Sequence, residues 1–203
     1  LMNQYTPETL VKLMQSFGIR GHLDPVVSLA LGPCEVSVSE MVDAYTAFPS
    51  KGIRVDPLYV TRIEDSNGNV IGTFVPKMQE IFSETTAYKM IYMLRSVVDE
   101  GTGGRIRRVY GLTMPVGGKT GTTQNNSDGW FMGFTPKLVS GVWVGGEERS
   151  IHFDGMAQGQ GASMALPIWA IYMKKVLANP QLGYRPTDQF DVPDDFNPND
   201  ACE

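Results

Sequence analysis

Glycine sets the strongest limits on what this chain can fold into. Fifteen of its 22 glycines fall between Gly101 and Gly161. Glycine has no Cβ, so such a stretch must contain tight turns or backbone against which other segments pack closely. The same stretch holds apolar runs such as Trp130–Phe131–Met132 and Val142–Trp143–Val144. Short apolar runs bounded by turn residues read as strands buried on both faces. Three strands are expected: one containing Gly118–Gly121, one from about Gly129 to Phe134, and one from Leu138 to Val144. The turn Thr135–Pro136–Lys137 is short, which makes the strands antiparallel neighbours.

Helical signals flank this region. Thr6–Pro7–Glu8 offers a hydroxyl N-cap, a proline at the first position and an acid in the first turn. Leu10, Leu13, Met14 and Phe17 then keep helical spacing as far as Gly18. Ser37 and Glu40 form a capping box for a second helix that should reach Phe48, before Pro49. Asn67–Gly68, set between Tyr59–Ile63 and Val70–Phe74, predicts a β-hairpin. Ser83 to Asp99 carries a continuous apolar stripe and ends in Gly101–Thr102–Gly103–Gly104. A last helix is predicted from Pro167, ending at Asn179–Pro180. The expected fold is α+β, an antiparallel sheet covered by helices on both faces. From Gly183 onward the chain is acidic and contains Pro186, Pro193 and Pro198. A domain over 1–180 and an extended, partly disordered acidic tail over 181–203 are therefore expected.

Composition excludes several classes. The net charge of −5 and the absence of a basic block argue against a nucleic-acid partner. No apolar run reaches the roughly 18 residues that a membrane-spanning helix needs, so no membrane segment is expected in the chain. Cys34 and Cys202 suggest no bridge, and His22 and His152 make no ligand pair, so neither a metal nor another cofactor is expected.

Gly117–Gly118–Lys119–Thr120–Gly121–Thr122–Thr123 is the most informative run. A phosphate loop would need glycine at position 113, where threonine stands, and a helix directly after Thr120, where Gly121 follows. The alternative is a strand edge that presents an ammonium, hydroxyls and bare backbone. Lys119 and Thr120 supply the charge and a hydroxyl, Gly121 clears the approach to the main chain, and Thr122 offers an N–H and a second hydroxyl. That set suits a substrate bearing a carboxylate and attacked at a nearby carbonyl.

Together with Ser127–Asp128–Gly129–Trp130–Phe131–Met132–Gly133–Phe134–Thr135–Pro136, Val142–Trp143–Val144–Gly145, Asp99–Glu100–Gly101–Thr102–Gly103 and Pro167–Ile168–Trp169, this run resembles the transpeptidase domain of class A (bifunctional) penicillin-binding proteins. Ser28–Leu29–Ala30–Leu31–Gly32 and Ala44–Tyr45–Thr46–Ala47–Phe48 extend the resemblance upstream. It implies the fold of serine β-lactamases and DD-transpeptidases. It also implies cross-linking of peptidoglycan stem peptides through an acyl-serine, inhibition by β-lactams, and a place at the periplasmic or extracytoplasmic face of the bacterial membrane. By the same resemblance, Lys119 supplies charge to the proton-transfer network, and Thr120 and Thr122 hold the substrate carboxylate. Gly121 admits the substrate backbone, and the Thr122 N–H is half of the oxyanion hole.

The family also uses S-x-x-K, which bears the nucleophile, and S-x-N. No serine here has lysine three residues on or asparagine two residues on. The resemblance thus implies a C-terminal part of the domain, beginning downstream of S-x-N. It would be inactive alone and completed by the upstream remainder of the same protein, which carries the membrane anchor and a glycosyltransferase. A non-catalytic structural or interaction fragment and a β-lactamase-like hydrolase are the alternatives.

Overall fold

A computed structural model describes residues 4–201; Cys202 and the opening Leu1–Met2–Asn3 lie outside the described residues. In chain order the elements are α1 (Pro7–Ser16), α2 (Val38–Thr46), β1 (Ile53–Val55), β2 (Arg62–Glu64), β3 (Val70–Thr73), β4 (Met78–Glu80), α3 (Glu84–Asp99), α4 (Arg105–Arg108), β5 (Gly117–Thr122), β6 (Asp128–Phe134), β7 (Val139–Gly145), α5 (Met156–Gly159) and α6 (Gly161–Leu177). Two small antiparallel ribbons, β1–β4 and β2–β3, accompany a three-stranded sheet in the order β5-β6-β7.

The caps form as the sequence dictates. The Thr6 hydroxyl accepts the Thr9 N–H, and the Ser83 hydroxyl accepts that of Thr86. At Gly18 the chain leaves α1 with a φ of +94°, where a Cβ would lie 2.5 Å from Asp43 Oδ2. That carboxylate is itself buried against Arg54, 2.8 Å from Nη1. The absent side chain at Gly18 lets the α1 exit close over this ion pair.

The main sheet has two distinct faces. Antiparallel register aligns Lys119 with Met132, Gly121 with Trp130, and Trp130 with Trp143. Side chains alternate along each strand, so these residues share one face. That face turns toward α2, with Val38 close to Gly141 and Met132. The opposite face carries Gly118, Gly129, Phe131 and Gly133 and receives α6. A Cβ on Gly133 would sit 2.5 Å from Trp169, and one on Gly129 would sit 2.6 Å from Met164. The glycines therefore clear the sheet surface so that Trp169 can lie edge-on to Phe131 at 5.2 Å between centroids. Trp169, Phe131, Leu166, Met173, Val98 and Ile106 form the main core. A second, aromatic cluster joins Phe48, Tyr88 and Phe134.

Two expectations need correction. The last helix begins at Gly161, six residues before Pro167, which lies inside it. Proline costs roughly 3 kcal/mol in a helix interior. Burial outweighs that cost here, because Ala162, Ala165, Leu166, Trp169, Ala170 and Met173 are all buried along one stripe, and large apolar side chains gain about 1.5–3 kcal/mol each. Over the described residues the tail is also held more closely than its composition suggests. Phe190 is buried against Phe134, 5.8 Å between ring centroids, and Phe196 meets Tyr88 edge-on at 4.6 Å. The acids are engaged as well: Asp188 with Lys137, Asp191 with Lys51, and Asp195 with the Thr85 hydroxyl. The tail is an extended strap held by two phenylalanines and by local charge pairing.

Glu40 generates a pH prediction. Its carboxylate accepts the Ser37 N–H at 2.9 Å and the Arg20 N–H at 2.8 Å. These donors, that of Ser37 foremost, hold its pKa down to about 2, against an ordinary 4.5. A carboxyl lowered by folding stabilises the fold above its unfolded value, and that stability is lost as pH falls through the folded value. Glu40→Gln should cost about 1 kcal/mol in urea unfolding at neutral pH. The gap to wild type should close as pH falls from about 4.5 toward 2. A gap that stays constant over that range would show that the charge is not what these donors hold.

Candidate active-site wall

Strand β5 is an edge strand. The N–H of Thr123 donates to the Asp128 carbonyl at 3.2 Å, toward β6. Backbone groups in an antiparallel pair alternate in direction. The N–H groups of Thr120 and Thr122 consequently point away from β6, to the open side of the sheet. The contact between Lys119 Nζ and the Thr120 carbonyl, 2.8 Å, fits the same alternation.

The four residues picked out by the sequence lie along this edge but on different faces. Lys119 is exposed and lies on the face toward α2. Gly121 shares that face, where a Cβ would come within 3.1 Å of Trp130 Cβ. Thr120 and Thr122 project to the α6 side. The Thr120 hydroxyl lies 2.7 Å from the Thr102 hydroxyl. The Thr122 hydroxyl accepts the N–H of Gly161, the first residue of α6, at 3.0 Å. Thr122 thereby satisfies one of the free donors at a helix N-terminus. The edge thus exposes an ammonium, two hydroxyls and outward N–H groups within three residues of one another.

Beside the edge lies a cavity of about 810 Å³ between α2 and the sheet. Phe17, Met41, Tyr45, Phe48, Trp130 and Met132 give it apolar walls, and Lys119 and Arg149 supply positive charge. Burial pushes the Tyr45 phenol up to about 12, so it stays neutral. Ser37 is a serine of this lining, and its hydroxyl is committed to Glu40 at 2.8 Å. Cys34 also lines the cavity; burial, then the nearby Glu40 charge, pushes its thiol up, away from the reactive thiolate. Among the described residues no group of three or more His, Cys, Asp or Glu could hold a metal ion, and no helix is long and apolar enough to cross a membrane.

Sequence reasoning missed two contributors. Thr102 was visible only as part of a glycine-rich helix stop, and Gly161 only as one glycine among many. Their proximity to β5 depends on how α3 and α6 pack, which no local pattern encodes.

An α+β domain with a helix-covered antiparallel sheet, and an open edge strand of this composition beside a deep cleft, is the fold of serine β-lactamases and DD-transpeptidases. Penicillin-binding protein 1A from Haemophilus influenzae superimposes with a TM-score of 0.79 at 22% identity, over 93% of this chain and 32% of that one. PonA1 from Mycobacterium tuberculosis, in a complex with penicillin V, superimposes with a TM-score of 0.74 at 20% identity, over 94% of this chain and 54% of that one.

In sequence, residues 5–152 match the penicillin binding protein transpeptidase domain. Penicillin-binding protein 1A of Aquifex aeolicus is 36% identical over 193 residues, 95% of this chain and 25% of that protein. Penicillin-binding protein 2D of Bacillus subtilis is 33% identical over 184 residues, 87% of this chain and 26% of that protein. The chain belongs to the penicillin binding protein transpeptidase family. It spans about a quarter of the length of these curated relatives.

Gly161 tests how the wall is held. A Cβ there would lie 2.3 Å from the Gly121 carbonyl and 2.5 Å from that of Trp130. Gly161→Ala should cost about 1–3 kcal/mol in urea unfolding, by overpacking and by pulling the N–H of residue 161 off Thr122. At Gly155 a Cβ would meet nothing within 4 Å, and Gly155→Ala should change stability by no more than about 0.5 kcal/mol. Equal effects at the two positions would contradict the close approach.

Proposed function

We propose that this chain forms one wall of a peptidoglycan DD-transpeptidase site, the nucleophilic serine coming from the remainder of the same protein. The observation that carries the reading is the open β5 edge, with Lys119 and the outward N–H of Thr122 beside a cleft. Catalysis of acyl transfer needs donors fixed where the carbonyl oxygen becomes negative, and a preorganised N–H on a rigid strand meets that need without reorganisation. Lys119 supplies positive charge for the serine's proton transfer. Thr120 and Thr122 hold the substrate carboxylate, and Gly121 leaves the main chain open to a stem-peptide backbone.

In this reading the acyl donor ends in D-Ala-D-Ala. The serine takes the penultimate residue as an ester, the terminal D-Ala leaves, and an amine of a second stem accepts the acyl group. β-Lactams occupy the same seat as acyl-donor mimics. The apolar cavity beside Lys119 is the seat for the missing part of the domain. A membrane anchor and a glycosyltransferase belong to that remainder, with the site on the extracytoplasmic side. A β-lactamase-like hydrolase would instead turn β-lactams over rapidly, and a non-catalytic fragment would leave the full-length protein unacylated.

Labelled penicillin and intact mass measurement test this. The chain alone should keep its mass, whereas the full-length protein should gain one drug molecule per site. Stable acylation of the isolated chain would overturn the assignment of the nucleophile to another segment. In the full-length protein, Lys119→Ala should slow second-order acylation by about 10²-fold, the scale of one lost electrostatic contact. Unchanged kinetics would remove Lys119 from the site.

A further inference from the structure

The Thr102–Thr120 contact has a direction that the ligand itself decides. The two hydroxyls lie 2.7 Å apart, 18 residues apart in sequence, and either could be the donor. Each hydroxyl has one proton. A carboxylate accepts and cannot donate, so a Thr120 hydroxyl that holds it must spend its proton on the carboxylate. The bond between the threonines can then run one way only, from Thr102 to Thr120.

Thr102 is mounted to serve as a fixed reference. It sits between the end of α3 and the buried Gly103 and Gly104. The N–H of Gly101 donates to the Ser96 carbonyl at 3.0 Å, and that of Gly103 to the Val97 carbonyl at 2.8 Å. A Cβ on Gly101 would come within 3.0 Å of the Val97 backbone. Just beyond, Arg105 donates to the Ser163 hydroxyl on α6 at 3.2 Å, and Arg107 donates to Asp99 and to the carbonyls of Leu112 and Met114. The loop is therefore tied to both helices that flank β5.

We infer that Thr102 is a positioning residue, donating its proton to Thr120 so that the Thr120 hydroxyl is oriented and polarised as a donor to the substrate carboxylate. Donation into a hydroxyl strengthens that hydroxyl's own outgoing bond. The inference rests on the reading of Thr120 as a carboxylate holder. It adds a chain of two hydroxyls, the second out of reach of any motif in the strand.

The experiment uses the full-length protein, acylated by a penicillin and by its methyl ester, whose esterified carboxyl carries no charge. Thr102→Val should slow acylation by the free acid about fivefold, the worth of one hydrogen bond between neutral groups, and change acylation by the ester less than about twofold. Thr102→Ser, which keeps the hydroxyl, should restore the wild-type rate for the acid. Adding Thr102→Val to a Thr120→Val background should have no further effect, since the outgoing donor is already gone. The ester rate also reports whether each variant is folded.

Equal slowing of acid and ester, or failure of Thr102→Ser to rescue, would mean a structural role and overturn the inference. A slow Thr120→Val beside a wild-type Thr102→Val would overturn it while leaving the carboxylate role of Thr120 intact. A Thr120→Val variant that treats acid and ester as wild type does would remove that role, and the inference with it.

Discussion

The packing of Trp169 over Gly133 is the contact on which the rest of this structure depends. Phe131 and Trp169 can share the core only because Gly118 and Gly133 leave the sheet surface low. That fit sets the distance and rotation of α6 against the sheet. With α6 seated, its first N–H meets Thr122, and its Ser163 meets Arg105 from the loop beyond α3. The edge strand is thus gripped at two points, at Thr122 by α6 and at Thr120 by Thr102, whose near neighbour in the chain, Arg105, is tied to α6. A site that must hold donors within a few tenths of an ångström gains its rigidity from burial several residues away.

The wall is asymmetric by construction. Strand alternation sends Lys119 and Gly121 to the cavity side and Thr120 and Thr122 to the α6 side. The ammonium turns back onto the Thr120 carbonyl of its own strand, whereas both hydroxyls are engaged by other segments. A hydroxyl that accepts one bond still has a proton to give, so engagement orients these groups without silencing them. The outward N–H groups need no side-chain support, because the antiparallel ladder on the other side of β5 fixes them.

Much of this was legible in the residues. The capping box at Ser37 and Glu40, the N-cap at Thr6 and the Asn67–Gly68 turn are local signals, and each formed where its chemistry is written. The three main strands were legible because turns and apolar runs alternate in that region. The strands β1 and β4 and the helices α4 and α5 were not, since three or four residues carry no period. The start of α6 was misplaced because Pro167 is a strong local signal that a buried stripe overrides. The strap was misread for a related reason: acids and prolines dominate its composition, while two phenylalanines decide its position. Lys119, Thr120, Gly121 and Thr122 could be named as a group from their spacing, but which face each would occupy follows only from the register with β6.

The outer side of β7 carries a consequence of its own. Among the described residues no strand pairs with it, so the sheet ends in two open edges. Val139–Gly145 reads VSGVWVG, with no charge and no proline to discourage a further strand. Backbone N–H and C=O groups on such an edge are an adhesive template for any extended chain of matching register. The fold therefore offers two backbone templates of like chemistry. One is chemically addressed by a lysine and threonines, the other is unaddressed. The β7 edge is therefore the side of the sheet on which association with another extended chain is least discouraged.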